Sequence, residues 1–342
     1  MKSLNAFWSL FCLALAILVL PCCAGKGDVR RNTIKLMRSI GLEEQLQAGV
    51  HISHDKNGLV IIADKGNFLV QYKILTPALA RDPNITIEPD IYIAPSTDKV
   101  VVVTHGWVDK AESDWPAEIA SAIAQKTDPN QWLCTSFDWR KGAVVLNPVE
   151  AAKYARDIAG PRLAAALHAL SPNLSHVHII AHSAGVWAAD SAAKEIAKTN
   201  PDTTIHITFL DAYIPPGFDQ KELGLLDSNT TCWAEHYYTK DITFNVTQTD
   251  LANAHNIDLT KIDPWFKEHK FPYRWYAATI TGRYDMQKLE KNLTLINAID
   301  GIGYGFPRSL EVGVENFKKS LTLTVGNKAV KLKRNITKKS SK

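Results

Sequence analysis

Strands and helices alternate through the middle of this 342-residue chain, which predicts an α/β fold with a mostly parallel central sheet covered by helices on both faces. Two observations sharpen this. Val100-Val101-Val102-Val103-Thr104 is apolar without alternation, the pattern of a strand buried on both faces. Val177 to Ala181 is a second strand pattern, ending in the apolar Ile179-Ile180-Ala181, and it passes through His182-Ser183-Ala184-Gly185 into a helical pattern, so strand, sharp turn and helix follow one another directly.

The elements follow in order. Leu59 to Ala63 and Phe68 to Ile74 read as antiparallel opening strands with turns at Gly58 and Gly66. After the Val100 strand come a helix over Asp114 to Lys126, a strand over Trp132 to Phe137, and a long helix over Val149 to Leu170 interrupted at Gly160-Pro161. The Ser183 turn leads into a helix over Val186 to Lys198, followed by strands over Ile205 to Leu210 and Glu235 to Tyr238. Polar residues dominate Asp241 to Lys270, so residues 242–268 read as an insertion or lid; a last helix runs from Tyr273 through Ile280. Gly301, Gly303 and Gly305 argue against a long helix further on. Neither an internal repeat nor a separate β-sandwich is evident.

A hydrophobic content of 46% supports a well-buried core and excludes disorder for most of the chain. The net charge of +4 is small for this length and implies no nucleic-acid face. Much of the charge sits at the end, so residues 319–342 read as a basic, solvated tail. Residues 1–24 have the form of a secretory signal: Lys2, an apolar run from Phe7 to Leu20, then Pro21 and small residues, with cleavage expected after Ala24. The catalytic domain then spans 25–318. Secretion is the expected localisation, with periplasmic export and membrane anchoring as the weaker alternatives. Cleavage leaves Cys134 and Cys232, which in an oxidising compartment suggest one disulfide; two buried thiols are the alternative. Six Asn-x-Ser/Thr sequons, at Asn84, Asn173, Asn229, Asn245, Asn292 and Asn335, agree with secretion in a host that glycosylates.

The Ser183 turn has the form of a nucleophile elbow, in which small neighbours let the chain reverse sharply and expose the hydroxyl. Gly185 lets the following helix approach the strand, and Ala181 adds one methyl where such turns commonly have glycine. A reactive serine needs a base, an orienting acid and two oxyanion donors, which converge at the C-terminal strand ends. The loop Thr104-His105-Gly106-Trp107 follows the Val100 strand, so the backbone N–H groups of Trp107 and Ala184 are the donor candidates. Asp211 follows the next strand and is the acid candidate; Asp241, after the Glu235 strand, is the alternative. The base should come late in the chain, which leaves His236, His255 and His269. His236 lies within an apolar strand and His255 in the expected lid, whereas His269 opens a loop before a helix. No metal or other cofactor is expected.

The stretch Val101 to Pro216 resembles the pancreatic-type triglyceride lipases of the α/β-hydrolase superfamily. The resemblance rests on Thr104-His105-Gly106-Trp107-Val108-Asp109-Lys110, Ser136-Phe137-Asp138-Trp139-Arg140, Val177 to Gly185 and Leu210-Asp211-Ala212, in that order. His269-Lys270-Phe271-Pro272-Tyr273 with Trp275-Tyr276 extends it. It implies an α/β-hydrolase fold and an ester hydrolase acting on lipids, with Ser183, Asp211 and His269 as the triad and transient contact with a lipid interface; it favours Asp211 over Asp241. The departures are Ala181, Ala184 in place of a bulkier residue, and only Cys232 where a disulfide-bounded lid needs two cysteines before His269. There is no room for the family's C-terminal β-sandwich, so its substrate preference and colipase dependence are not carried over. Phospholipase A1 or short-chain esterase activity on the same triad is an alternative, as is a non-catalytic lipid or protein binder of the same fold.

Overall fold

The computed structural model describes residues 49–66, 80–107, 115–226, 232–240, 247, 249–260 and 269–281, and the backbone of residues 296–298, 321–325, 328–332 and 335–336. The expected signal segment, the Phe68 to Ile74 strand and the alternative acid Asp241 lie outside the described residues.

The opening strands are β1 (Val50–His54) and β2 (Val60–Asp64), paired antiparallel across a turn in which Gly58 takes φ 83°. The sequence pattern missed β1, because His51, Ser53 and His54 dilute the apolar signal from Val50 and Ile52. Then follow β3 (Ile85–Ile87), β4 (Lys99–Thr104), α1 (Trp115–Ala124) and β5 (Trp132–Asp138). A helical turn (Arg140–Ala143) leads to α2 (Pro148–Tyr154) and α3 (Gly160–Leu170). β6 (His176–His182), α4 (Val186–Thr199), β7 (Thr204–Leu210), β8 (Cys232–Tyr238), β9 (His255–Asp258) and α5 (Phe271–Thr281) complete the core.

Seven strands in the order β9-β8-β7-β6-β4-β5-β2 are mutually parallel, with β1 and β3 beyond β2 and β13 (Asn335–Ile336) antiparallel on β9. This is the α/β-hydrolase arrangement: a mostly parallel sheet with helices on both faces. Strand β4 explains the unbroken valine run. Val100 and Val102 pack with Trp187, Leu163 and Tyr154 on the face of α2, α3 and α4, while Val101 and Val103 pack with Ile119, Trp275 and Tyr276 on the face of α1 and α5.

Three expectations need correction. The expected break at Gly160-Pro161 is a π-turn over Ala155–Ala159 that carries α2 into α3 without stopping the helix. A π-turn accommodates the missing N–H of Pro161, and Gly160 is required because a Cβ would lie 2.5 Å from Ser191 Cβ and 2.7 Å from the Ala188 carbonyl on α4. Within the expected lid, His255–Asp258 joins the sheet beside β8, and Ile257 and Leu259 are buried. Cys134 and Cys232 are not joined: β4, β6 and β7 lie between β5 and β8. Four strand spacings of about 4.8 Å far exceed the Cα separation a disulfide spans. Burial pushes the Cys134 thiol up to about 11.

The basic tail also departs from a solvated coil. Leu321–Val325 and Lys328–Leu332 form an antiparallel hairpin, β11 and β12, beside β10 (Ile296–Ala298). Its register pairs Leu321 with Leu332 and Val325 with Lys328. No helix among the described residues is long and apolar enough to cross a membrane.

Buried histidines set the expected pH response. Burial, with Lys99 nearby, holds His176 down at about 4; burial, countered by the Asn256 side chain, holds His236 at about 4; and burial holds His178 and His182 well below the ordinary 6.5. Between about pH 6.5 and 4 the unfolded chain therefore binds more protons than the folded one, so acid favours unfolding there. Stability should fall by up to about 1.4 kcal/mol per pH unit for each such histidine. Denaturant titrations across this window check it; a flat profile would contradict it.

Candidate active site

Strand β6 ends at His182, and Ser183 turns the chain into α4 with φ 54°. A non-glycine residue held there stores about 1–3 kcal/mol of strain, which persists only where surrounding packing enforces it. That packing is visible at the two neighbouring glycines. A Cβ on Gly106 would sit 2.7 Å from Ser183 Cβ and 3.3 Å from its Oγ, and one on Gly185 would sit 2.2 Å from the His105 carbonyl oxygen. The 104–107 loop thus lies directly against the serine. Ala181 is fully buried on the α4 face, where its extra methyl is part of the core.

Ser183 Oγ is 2.8 Å from His269 Nε2, and His269 Nδ1 is 2.5 Å from Asp211 Oδ2. These groups come from the ends of β6 and β7 and from the residues just before α5. Asp211, also at positive φ (49°), is fully buried; its Oδ1 accepts from Thr239 N–H at 2.9 Å. Burial pushes its carboxyl upward, opposed by the bonds to His269, Thr239 and Thr247. His236 takes no part in the relay: its Nε2 accepts from Ala212 N–H at 3.2 Å, and its Nδ1 is 3.2 Å from Asn256 Oδ1. The backbone of His255 is in β9.

Sequence reasoning missed His182. Its Nε2–H donates to the His269 carbonyl at 2.9 Å, and its ring packs edge-on against Trp115 and Tyr273. It therefore tethers the segment that carries His269, a contact visible only once β6 and α5 are adjacent. Register also unites His178, His206 and Glu235 on three neighbouring strands, with potential ligand atoms within 4.8 Å of one another. They fit a metal poorly. The two imidazoles stack 3.8 Å apart at 5°, so their lone pairs run side by side and do not converge. Their Nε2 atoms already meet Thr208 Oγ1 at 2.8 Å and Glu235 Oε1 at 3.2 Å, and Tyr237 O–H donates to Glu235 Oε2. This is a hydrogen-bonded core network.

The chemistry this arrangement permits is proton removal from Ser183 by an imidazole whose other nitrogen faces a buried carboxylate. Residues 94–241 match the family model described as Lipase. That span, with the sheet described above, resembles the catalytic domain of lipases. The matched span includes the 104–107 loop, Ser183 and Asp211 and ends before His269. Human pancreatic lipase-related protein 2 is 28% identical over 159 residues, 44% of this chain and 32% of that protein. Pancreatic triacylglycerol lipase of Myocastor coypus is 31% identical over 145 residues, 41% of this chain and 30% of that protein. The chain thus spans about a third of the length of these curated relatives. A solved structure from a report on two metagenome-derived lipolytic enzymes aligns at 13% identity with a TM-score of 0.27, over 44% of this chain and 75% of that one.

Gly185→Ala is expected to push the His105 carbonyl, and with it the 104–107 loop, away from Ser183. A displacement of about 1 Å at a reacting group can cost about 10²-fold in turnover, so the variant should fold and lose at least that much ester hydrolysis. Steady-state kinetics beside a thermal melt check this.

Proposed function

We propose that this chain is a secreted serine ester hydrolase that cleaves carboxylic esters of lipids through an acyl-enzyme on Ser183. The observation that carries the reading is the Ser183–His269–Asp211 relay, with separations of 2.8 and 2.5 Å between groups from three distant segments. The Lipase-family match and the names of the relatives, pancreatic triacylglycerol lipase among them, support the ester class.

In this mechanism His269 Nε2 takes the Ser183 proton as Oγ attacks the ester carbonyl. Asp211 holds the imidazole in the tautomer with its proton on Nδ1 and stabilises the imidazolium that forms. The backbone N–H groups of Trp107 and Ala184 receive the developing oxyanion. His269 returns the proton to the departing alcohol, and a water it then activates cleaves the acyl-enzyme, regenerating Ser183. No step requires a metal or cofactor. A non-catalytic binder of the same fold would have no need of the strained Ser183 backbone. The signal-like residues 1–24 support secretion, and the exposed sequons at Asn84 and Asn173 are suited to glycosylation.

A panel of esters of graded chain length, as monomers and as emulsions, with triacylglycerol and phospholipid arms, tests the substrate class. Turnover of emulsified acylglycerols is the expected result. Preference for phospholipid at its sn-1 ester would favour phospholipase A1, preference for short soluble esters an esterase, and no turnover of any ester would reject the enzyme reading.

A further inference from the structure

We propose that His105 is a positioning residue that sets the orientation of the Gly106–Trp107 peptide, and that Trp139 holds His105 in the one tautomer able to do so. The inference rests on the reading of the Trp107 N–H as an oxyanion donor.

Three hydrogen bonds fix His105. Trp139 backbone N–H points at His105 Nε2 at 3.1 Å, and the Trp139 indole N–H donates to the His105 carbonyl at 2.9 Å. His105 Nδ1 lies 2.9 Å from the Gly106 carbonyl. Asp138 Oδ1 is also 3.3 Å from Nε2, but that carboxylate is engaged by the Arg140 guanidinium and backbone N–H, and the Trp139 N–H needs a lone pair on Nε2. The ring proton is therefore on Nδ1, and Nδ1–H donates to the Gly106 carbonyl.

The consequence follows from peptide geometry. In a planar trans peptide the carbonyl and the next N–H point in opposite directions. Holding the Gly106 carbonyl toward the imidazole turns the Trp107 N–H the other way. Without that bond, glycine's freedom at position 106 would let the peptide rotate at little cost. The brace extends into the core. The Trp139 ring stacks on His105 at 5.3 Å and on Tyr154 at 6.4 Å; Tyr154 O–H donates to Asp64, which also receives Arg162. Trp139 and Tyr154 are fully buried, so the oxyanion loop is anchored to a buried ion pair on the opposite side of the stack.

Two variants separate orientation from packing. His105→Asn puts an amide N–H where Nδ1–H stands, whereas His105→Gln keeps an acceptor for Trp139 N–H and offers no donor at the Nδ1 position. For a soluble ester, His105→Gln should lower kcat by about 10²–10³-fold with KM little changed, the size of a lost oxyanion donor. His105→Asn should recover most of that loss. Crystal structures should show the Gly106 carbonyl rotated in the Gln variant and held in the Asn variant. An unrotated peptide with wild-type kcat in His105→Gln would overturn the proposal, as would equal losses of kcat in both variants that track their thermal midpoints. If the wild-type protein turned over no ester, the hydrolase reading would fall, and the carbonyl orientation in the two structures would still decide the role of His105.

Discussion

Ser183→Ala is expected to lower kcat for carboxylic esters by about 10⁴-fold or more, with the thermal midpoint within a degree or two of wild type, about 0.5 kcal/mol for a chain of this size. The asymmetry follows from the geometry. Ser183 Oγ touches His269 Nε2 at 2.8 Å, but the hydroxyl contributes little packing, and alanine keeps the Cβ that meets Gly106. The backbone strain at φ 54° remains in the alanine variant. Ser183→Gly should remove that strain and be the more stable of two inactive proteins. A stability gain coupled to inactivity is what a strained functional residue predicts.

The second large effect belongs to the acid. Asp211→Asn should reduce kcat by about 10⁴-fold, because an amide in place of the carboxylate favours the wrong tautomer of His269 and gives no compensation for the imidazolium. Asp241→Asn should leave kcat near wild type. The two variants, compared by steady-state kinetics, discriminate the acid candidates: Asp211 lies 2.5 Å from His269 Nδ1, and Asp241 is outside the described residues. Equal losses at both positions would leave Asp211 without its special role.

What the sequence made legible was periodic or local. The parallel core appeared in the valine run of β4 and in Ile179-Ile180-Ala181 of β6, and the elbow in the small residues that follow β6. The order of oxyanion loop, serine, aspartate and histidine was legible because each candidate follows a strand or opens a helix. Distances across the sheet were not. Cys134 and Cys232 suggested a disulfide on count alone, yet three strands divide them. The His178–His206–Glu235 network depends on register between β6, β7 and β8, and the bond from His182 to the His269 carbonyl joins residues 87 apart. The contact of Trp139 with His105 is hidden in the same way: Ser136 to Arg140 forms a local motif, but the hydrogen bonds to His105 span 34 residues.

If Ser183 is the nucleophile, a fluorophosphonate should modify it, and peptide mass spectrometry maps where the adduct forms. A single stoichiometric adduct on Ser183 is expected, abolished by Ser183→Ala and slowed by His269→Ala. An adduct on another residue, or none on folded protein that still hydrolyses esters, would contradict it.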